Sequence, residues 1–466
     1  MHVDELERLR SEARQLAVDM VRLLAMRRRV VSKIAEVKRS TNVDTVQPDV
    51  EAAVRRAMLE EAVKHGIPAE TVNRLATVIF ADAVEMQSKP SKQLTHMDIL
   101  RRAVEMQRNG REVQRLEVGE PDLGAPQQVR YTVGNAVVEG YARYADSRGI
   151  PELRTAIAEQ IHERYGYEAA PYNVIVTPGG RFAIYLAMKT LLAEGDEIIV
   201  IDPSWPMYKQ CARFVGARPV AVRTRFEDGW TPDPCIVEER ISKSTKAILL
   251  NYPNNPTGKT LDRKSFSKIV DIARDNNLTL ISDEVYIDYT RGDGPVSVLD
   301  GWDVNFILIQ SFSKSYGMTG YRVGYVVANE ALVSKMASII GLVLTCVPEF
   351  IQYGALKALS LKETPKQYAE IMMRRMDVAV RELEKIGASF YKPDGGMYVF
   401  PRINTGGADG MELAFELLES KGVAVAPGSI FGGYDDFIRI SLGASEESIA
   451  KGIRLLGEFL AEKGLT

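Results

Sequence analysis

Residues 311–325 read SFSKSYGMTGYRVGY. A single lysine, Lys314, stands among small hydroxylated residues, and Arg322 follows at the mouth of the apolar run VGYVVA. The run before it, NFILIQ, has the length and content of a buried strand, so Lys314 is expected where a strand ends at a turn. Three other strand-like runs end in residues able to do chemistry. LTLIS leads into DEVY, with Asp283 and, further on, Tyr286; KAILLN leads into YPNNPTGK, with Asn255; VIVT leads into PGGR, with Gly180 and Arg181 opening a helical run. An amine can condense with a carbonyl, and a carboxylate can keep a ring nitrogen protonated. Glycines at a helix start turn backbone N–H groups toward a phosphate, and an arginine adds a bidentate partner. In a helix-flanked sheet such groups gather at the carboxyl edge of the strands, where a ligand crevice forms.

The elements that must position them follow two grammars. After residue 94, strand-like runs (VIVT, EIIVID, KAILLN, LTLIS, FILIQS) alternate with helical stretches, the pattern of a mostly parallel sheet covered by helices. The last hundred or so residues, with SFYKP, MYVFPRI, VAVAPG and FIRISLG, read as a smaller α+β unit. Ahead of them, residues 1–47 contain no glycine or proline. Leu6, Leu9, Ala13, Leu16, Met20 and Leu23, then Arg27, Val30, Ile34 and Val37, recur at spacings of three and four, which predicts one amphipathic helix to about residue 40. A turn near QPD introduces a second helix, about 49–65, ending at HGIP, and a third at about 69–87; SKPSKQ reads as a polar linker.

One cofactor needs every group gathered at the sheet edge. Pyridoxal phosphate calls for an amine, a carboxylate at its ring nitrogen and donors for its phosphate. Here residues 94–466 resemble the class I/II aminotransferases of fold type I, through GEPDL, YADSRGIPELR, TPGGR, PSWPMY, NYPNNPTG, SDEVY, SFSKSYGMTGYRVG, PDGGMYVFP and FIRIS. The resemblance implies a large domain at about 130–345 and a small one from about 94–129 plus 346–466. It makes Lys314 the lysine that joins the cofactor and shuttles the proton, and Asp283 the partner of the ring nitrogen. Tyr286 and Asn255 match the pair that hydrogen-bonds the ring's phenolic oxygen, and Trp205 the ring that stacks on it. Gly180, Arg181, Ser311 and Arg322 fall at or beside phosphate-binding positions. Tyr144 corresponds to a tyrosine reaching the neighbouring subunit's phosphate, which implies a homodimer or larger assembly. Arg439 matches the clamp on the substrate α-carboxylate, with Gly119 beside it. Arg181 also stands near the place of a lysine that reaches a distal carboxylate in dicarboxylate-accepting relatives.

The helical part holds an anomaly. Arg27 sits in the apolar seam, where an unpaired buried guanidinium costs several kcal/mol, so it needs an anion. Lys38 lies about three turns on and shares its face, whereas Arg10 projects roughly 100° away and cannot share that pocket within one straight helix. Residues 1–90 resemble the all-helical AroQ-type chorismate mutases, through LERLR, AMRRRVVSKIAEVK, the glutamate of DVEAAV, and AVEMQ. The resemblance implies three helices in an intertwined dimer, with Arg27 and Lys38 binding substrate from one chain and Arg10 entering from the other. Glu51 would meet the substrate hydroxyl, and Gln87 with Lys38 the ether oxygen. Those roles suit a dianion whose rearrangement breaks a C–O bond, since donors stabilise charge developing on the ether oxygen. The chain departs from the family at Val50, where an arginine is usual, at Gln47, usually acidic, and at Ala83, often serine.

Composition narrows the rest. With 466 residues, 45% hydrophobic and 26% charged, the chain reads as globular and too long for a single core. A formal charge of −3 gives no general pull toward nucleic acid or anionic membrane. Cys211, Cys235 and Cys346 are few and widely spaced, and His2, His65, His96 and His162 lack metal-ligand spacing, so neither a disulfide framework nor a metal site is expected. The charged start, without an apolar stretch of about 18 residues, predicts no signal peptide or membrane span, and a reducing cytoplasm as location. Joined, the two resemblances imply an enzyme of aromatic amino acid biosynthesis acting on chorismate, 2-oxo acids and amino acids. Two other readings stand beside it: an aminotransferase with a non-catalytic effector-binding segment, or one whose helices serve only dimerisation.

Overall fold

The computed structural model describes residues 2–40, 48–88, 94–291 and 294–465, with the side chains of 2–4, 32, 35–37, 39–40, 48–49 and 84–88 outside that description. Gln47, the expected linker after Ser88 and the side chain of Gln87 therefore lie outside the described residues. The chain divides into two compact units, Met1–Gln93 and Leu94–Thr466.

The first unit is three helices: α1 (His2–Ser40), α2 (Pro48–Lys64) and α3 (Ala69–Ser88). α2 stops where Gly66 adopts φ +66°, a left-handed conformation that glycine takes without a Cβ penalty. α3 packs on both other helices, burying Val31, Ala62, Val72, Ala76 and Phe80. The apolar seam of α1 has a different fate. Val31 is its one buried apolar side chain among the described residues, while Leu16 and Met20 are each 61% exposed. The expected amphipathic helix exists, but among the described residues of its own unit most of the stripe stays exposed.

In the second unit a helix, α4 (His96–Arg108), leads to a short strand, β1 (Gln114–Arg115). The strands β2 (Val174–Thr177), β3 (Glu197–Asp202), β4 (Arg218–Arg223), β5 (Thr245–Asn251), β6 (Thr279–Asp283), β7 (Phe306–Ser311) and β8 (Gly324–Ala328) form one sheet in the order β2-β8-β7-β6-β5-β3-β4. Pairing is parallel from β4 to β7, and β8 runs antiparallel to both of its neighbours. The central strands are apolar almost throughout because helices cover both faces. Along each strand alternate side chains enter different cores: Val176, Ile199, Ile248, Leu280 and Leu308 on one face, Ile175, Ile198, Leu249, Ile281 and Ile307 on the other.

A further core lies among α4, the helices Glu363–Lys385, Gly410–Lys421 and Glu446–Glu462, and the strands β9 (Tyr398–Val399), β10 (Val423–Ala424), β11 (Ala426–Pro427) and β12 (Ile438–Ser441). Here β11, β12 and β9 pair antiparallel, and β10 pairs parallel with β1. The fold is thus an all-α region followed by an α/β domain with a smaller α+β body. One local reading needs correction, and one strand was not read from the sequence. SFYKP forms only an isolated bridge, Ser389 with Arg402, and RPVAVR is a full edge strand that its leading arginine and proline disguise.

Candidate functional site

The carboxyl ends of β2, β3, β5, β6 and β7 deliver the predicted residues to one edge. β7 ends at Ser311, whose hydroxyl oxygen accepts the Ser313 N–H at 3.1 Å and caps the one-turn helix Phe312–Ser315. Lys314 projects from that turn. Its Nζ donates to the Gly119 carbonyl at 2.5 Å, and its own carbonyl accepts the Tyr289 hydroxyl at 2.6 Å. Burial lowers the Lys314 pKa to about 8, with Arg439 and Arg322 adding to the effect and Glu120 opposing it. This lysine is therefore close to giving up its proton at neutral pH.

Asp283, at the end of β6, is 2% exposed. Its carboxylate accepts the Tyr208 hydroxyl at 2.7 Å and the Val285 N–H at 3.3 Å. Burial raises its pKa to about 6. Among the described residues no cation forms an ion pair with it, an unusual state for a buried carboxylate. Tyr286 is buried with its hydroxyl 2.9 Å from that of Tyr398, the two rings edge to face. Asn255 accepts from Arg439 Nη1 at 3.0 Å through Oδ1.

A third corner is made by glycines. Gly179, at φ +79°, precedes the helix Gly180–Leu191, whose start carries no side-chain cap. A Cβ on Gly179 would lie 2.8 Å from Arg322 Nη2, and one on Gly180 would lie 3.1 Å from Val285 Cγ1 and 3.6 Å from Ser311 Cβ. Uncapped N–H groups, Ser311 and the Arg322 guanidinium thus share one corner suited to a phosphate. Arg322 itself is held in a left-handed conformation, φ 57°, with Nη1 on the Thr319 carbonyl at 2.6 Å. Arg181 lies over the Trp205 ring at 5.2 Å, and Trp205 meets Tyr208 edge-on.

Arg439, on β12, is 5% exposed. It donates to Asn255 and to the Glu117 carbonyl (2.5 Å), and its guanidinium packs over Tyr398 and Phe431. Its Nε is buried without a partner among the described residues. Gly119 leaves no room for a side chain, since a Cβ would come within 2.1 Å of Tyr398 Oη. Tyr144 is on the surface, 87% exposed. Tyr208 and Tyr398 were not assigned roles from sequence, although both lie inside the quoted segments PSWPMY and PDGGMYVFP. Only the fold shows that one meets Asp283 and the other joins Tyr286 to Arg439.

The helical unit is less complete. Arg27 is half-buried rather than buried, and Nη1 donates to the Ile79 carbonyl of α3 at 3.2 Å. Lys38 and Glu51 are half-buried, and Val50 is exposed. Arg10 pairs with Glu7 at 3.3 Å on an exposed face, about 25 Å back along α1 from Arg27. One chain therefore does not bring Arg10 to Arg27. Among the described residues there is no His, Cys, Asp or Glu cluster able to hold a metal, and no helix long and apolar enough to cross a membrane.

A buried carboxylate without a cation, an amine near neutrality and an uncapped helix start beside an arginine fit pyridoxal phosphate. Comparison with known proteins agrees with that chemistry. Residues 111–456 match the family of class I and II aminotransferases, and residues 9–88 match chorismate mutase type II. A probable aspartate/prephenate aminotransferase of Aquifex aeolicus is 37% identical over 386 residues, covering 80% of this chain and 97% of its own. An aspartate aminotransferase of Pyrococcus horikoshii is 36% identical over 351 residues, covering 74% and 90%. Among solved structures, the aspartate aminotransferase of Thermotoga maritima superposes with a TM-score of 0.75 at 33% identity, covering 79% and 97%. That of Thermus thermophilus with maleate gives 0.75 at 32%, covering 80% and 97%.

Proposed function

The chain belongs to the class I and II aminotransferases, which use pyridoxal phosphate, and carries a type II chorismate mutase segment ahead of that domain; from this premise we propose a bifunctional enzyme of aromatic amino acid biosynthesis. Residues 1–90 rearrange chorismate to prephenate, and residues 91–466 transfer an amino group to a 2-oxo acid such as prephenate or an aryl-pyruvate. The observation that carries the second half is the gathering of buried Asp283 and half-buried Lys314 at the carboxyl edge of the seven-stranded sheet, where Asn255 joins that edge to buried Arg439 of β12.

When bound, the cofactor supplies an electron sink for the bond broken at the substrate α-carbon. The chain does the rest. Asp283 would hold the proton on the ring nitrogen, and Tyr208 keeps that carboxylate aimed. Gly180, Ser311 and Arg322 would seat the phosphate, with Arg181 beside them and Trp205 against the ring. Tyr286 and Asn255 would hold the ring oxygen, and the partner chain would bring its own copy of Tyr144 to the phosphate. Arg439 would clamp the α-carboxylate against the close approach that Gly119 permits. Lys314 Nζ would then take the α-proton and return it, the task its lowered basicity suits. Arg181 would reach a distal carboxylate, which admits glutamate, aspartate or prephenate.

In the helical unit, Arg27 and Lys38 would hold the dianion with Arg10 of a second copy, Glu51 would meet its hydroxyl, and Lys38 with Gln87 its ether oxygen. The exposed stripe of α1 supports a homodimer at least, since such apolar faces are normally covered. A second reading has one specific support: Val50 stands where a carboxylate-binding cation is usual, which favours an effector-binding segment without catalysis. Two variants separate the readings. Lys38→Ala is expected to abolish chorismate conversion and leave amino transfer within about twofold of wild type, and Lys314→Ala to do the reverse. Unchanged chorismate turnover in Lys38→Ala would remove the mutase assignment.

A further inference from the structure

The roles above leave Tyr398 without a task. It lies on β9, 1% exposed, and three contacts fix its place. Its hydroxyl oxygen is 2.9 Å from that of Tyr286, the rings meeting edge to face with centroids 5.5 Å apart. The Arg439 guanidinium packs over its ring, 4.4 Å from the centroid. Gly119 lies against the oxygen, where a Cβ would come within 2.1 Å. Among the described residues each of the two hydroxyls has the other as its hydrogen-bond partner.

Which of the two donates follows from a count of protons. A phenol carries one proton and can accept as well. If Tyr286 gives its proton to the ring oxygen of the cofactor, its own oxygen is left to accept, and Tyr398 must be the donor. Two hydrogen bonds then run in series, from Tyr398 to Tyr286 and from Tyr286 to the ring oxygen. A hydroxyl that accepts one hydrogen bond is a stronger donor of the next. The guanidinium over the Tyr398 ring adds to this, since a positive charge on the π face favours release of the phenolic proton. A donor to the ring oxygen weakens that oxygen's hold on the proton it shares with the Lys314 nitrogen, so the proton leaves at lower pH. The charged and titratable groups felt by the pair are Arg439 from β12, Asp283 from the end of β6, Tyr208 from the helix Met207–Phe214, and Tyr289.

We propose that Tyr398 is a positioning residue for the cofactor: its hydroxyl fixes the direction of the Tyr286 proton and, through Tyr286, eases loss of the proton that the ring oxygen shares with the Lys314 nitrogen. This role rests on Tyr286 as the holder of that oxygen.

The test is a pH titration of the holoenzyme without substrate, followed through the shift of the cofactor's visible band. Tyr398→Phe keeps the ring under Arg439 and removes only the oxygen; its midpoint is expected about half a pH unit above wild type. Tyr286→Phe is expected to move the midpoint up further, by about 1 pH unit or more. The double variant should match Tyr286→Phe, because Tyr398 acts through Tyr286. A Tyr398→Phe midpoint equal to or below wild type, the result of a ring that only packs, overturns the proposal. So does a double variant that adds the two shifts, since the hydroxyls would then act separately. If Tyr286→Phe leaves the midpoint unmoved, the reading of Tyr286 itself fails instead. A retained visible band in each variant shows that the fold and the link to Lys314 persist.

Discussion

Lys314 and Asp283 carry opposite burdens of burial. Burial pushes the lysine toward its neutral form and the carboxylic acid toward its protonated form. The lysine must be neutral to react, and its pKa lies at about 8. Reconstitution of the apoenzyme with pyridoxal phosphate should therefore speed up as pH rises through about 8, measured as growth of the visible band. Lys314→Ala should develop no such band and lose amino transfer by about a thousandfold or more. For Asp283 the sign runs the other way. Its folded pKa of about 6 exceeds the ordinary 3.8, so the folded apoenzyme holds the proton more tightly, and stability falls as pH rises between those values. Asp283→Asn should raise apoenzyme stability at pH 7 by about 2 kcal/mol in urea unfolding while abolishing amino transfer. The identities of Lys314, Asp283 and Arg439 were legible in the sequence because each ends or occupies an apolar run within a distinctive motif. Tyr208 and Tyr398 were not, since an aromatic in a short helix or a two-residue strand gives no signal until the fold shows what it faces.

At the scale of elements, the parallel strands could be read from their apolar runs, and the glycine-led helix from PGGR after VIVT. The direction of β8 could not, because VGYVVA has the same content whichever way it runs, and β4 hid behind Arg218 and Pro219. The loop at Gly119 shows what element packing demands of a single position. A methyl group there would overlap Tyr398 Oη, at 2.1 Å, and displace the ring that lies under Arg439 and meets Tyr286. Gly119→Ala is expected to lower kcat/KM of amino transfer by about a hundredfold. Adding Tyr398→Phe removes the clashing oxygen and should restore part of the loss. Equal activity of the single and double variants would show that the clash is not the cause.

On the scale of the whole molecule, the sequence separates two grammars and the structure separates two compact units, Met1–Gln93 and Leu94–Thr466. The long amphipathic helix was legible from its spacing, but its seam reads identically whether the same chain or another covers it. Within its unit it is mostly uncovered, with Leu16 and Met20 exposed. A charged pair, Leu16→Glu with Met20→Glu, should therefore weaken association and reduce chorismate turnover at least about tenfold, as seen by sedimentation and by assay at several protein concentrations. Amino transfer measured in the same samples reports whether the second unit keeps its own assembly.

The most direct measurement follows chorismate through the purified chain supplied with pyridoxal phosphate and glutamate or aspartate. The bifunctional account predicts that chorismate disappears and that an aminated product with its carbon skeleton accumulates, with prephenate as the first species when the amino donor is withheld. Chorismate that persists while amino transfer to an added 2-oxo acid proceeds would contradict it, and would leave the helical unit as an effector-binding or dimer-forming segment.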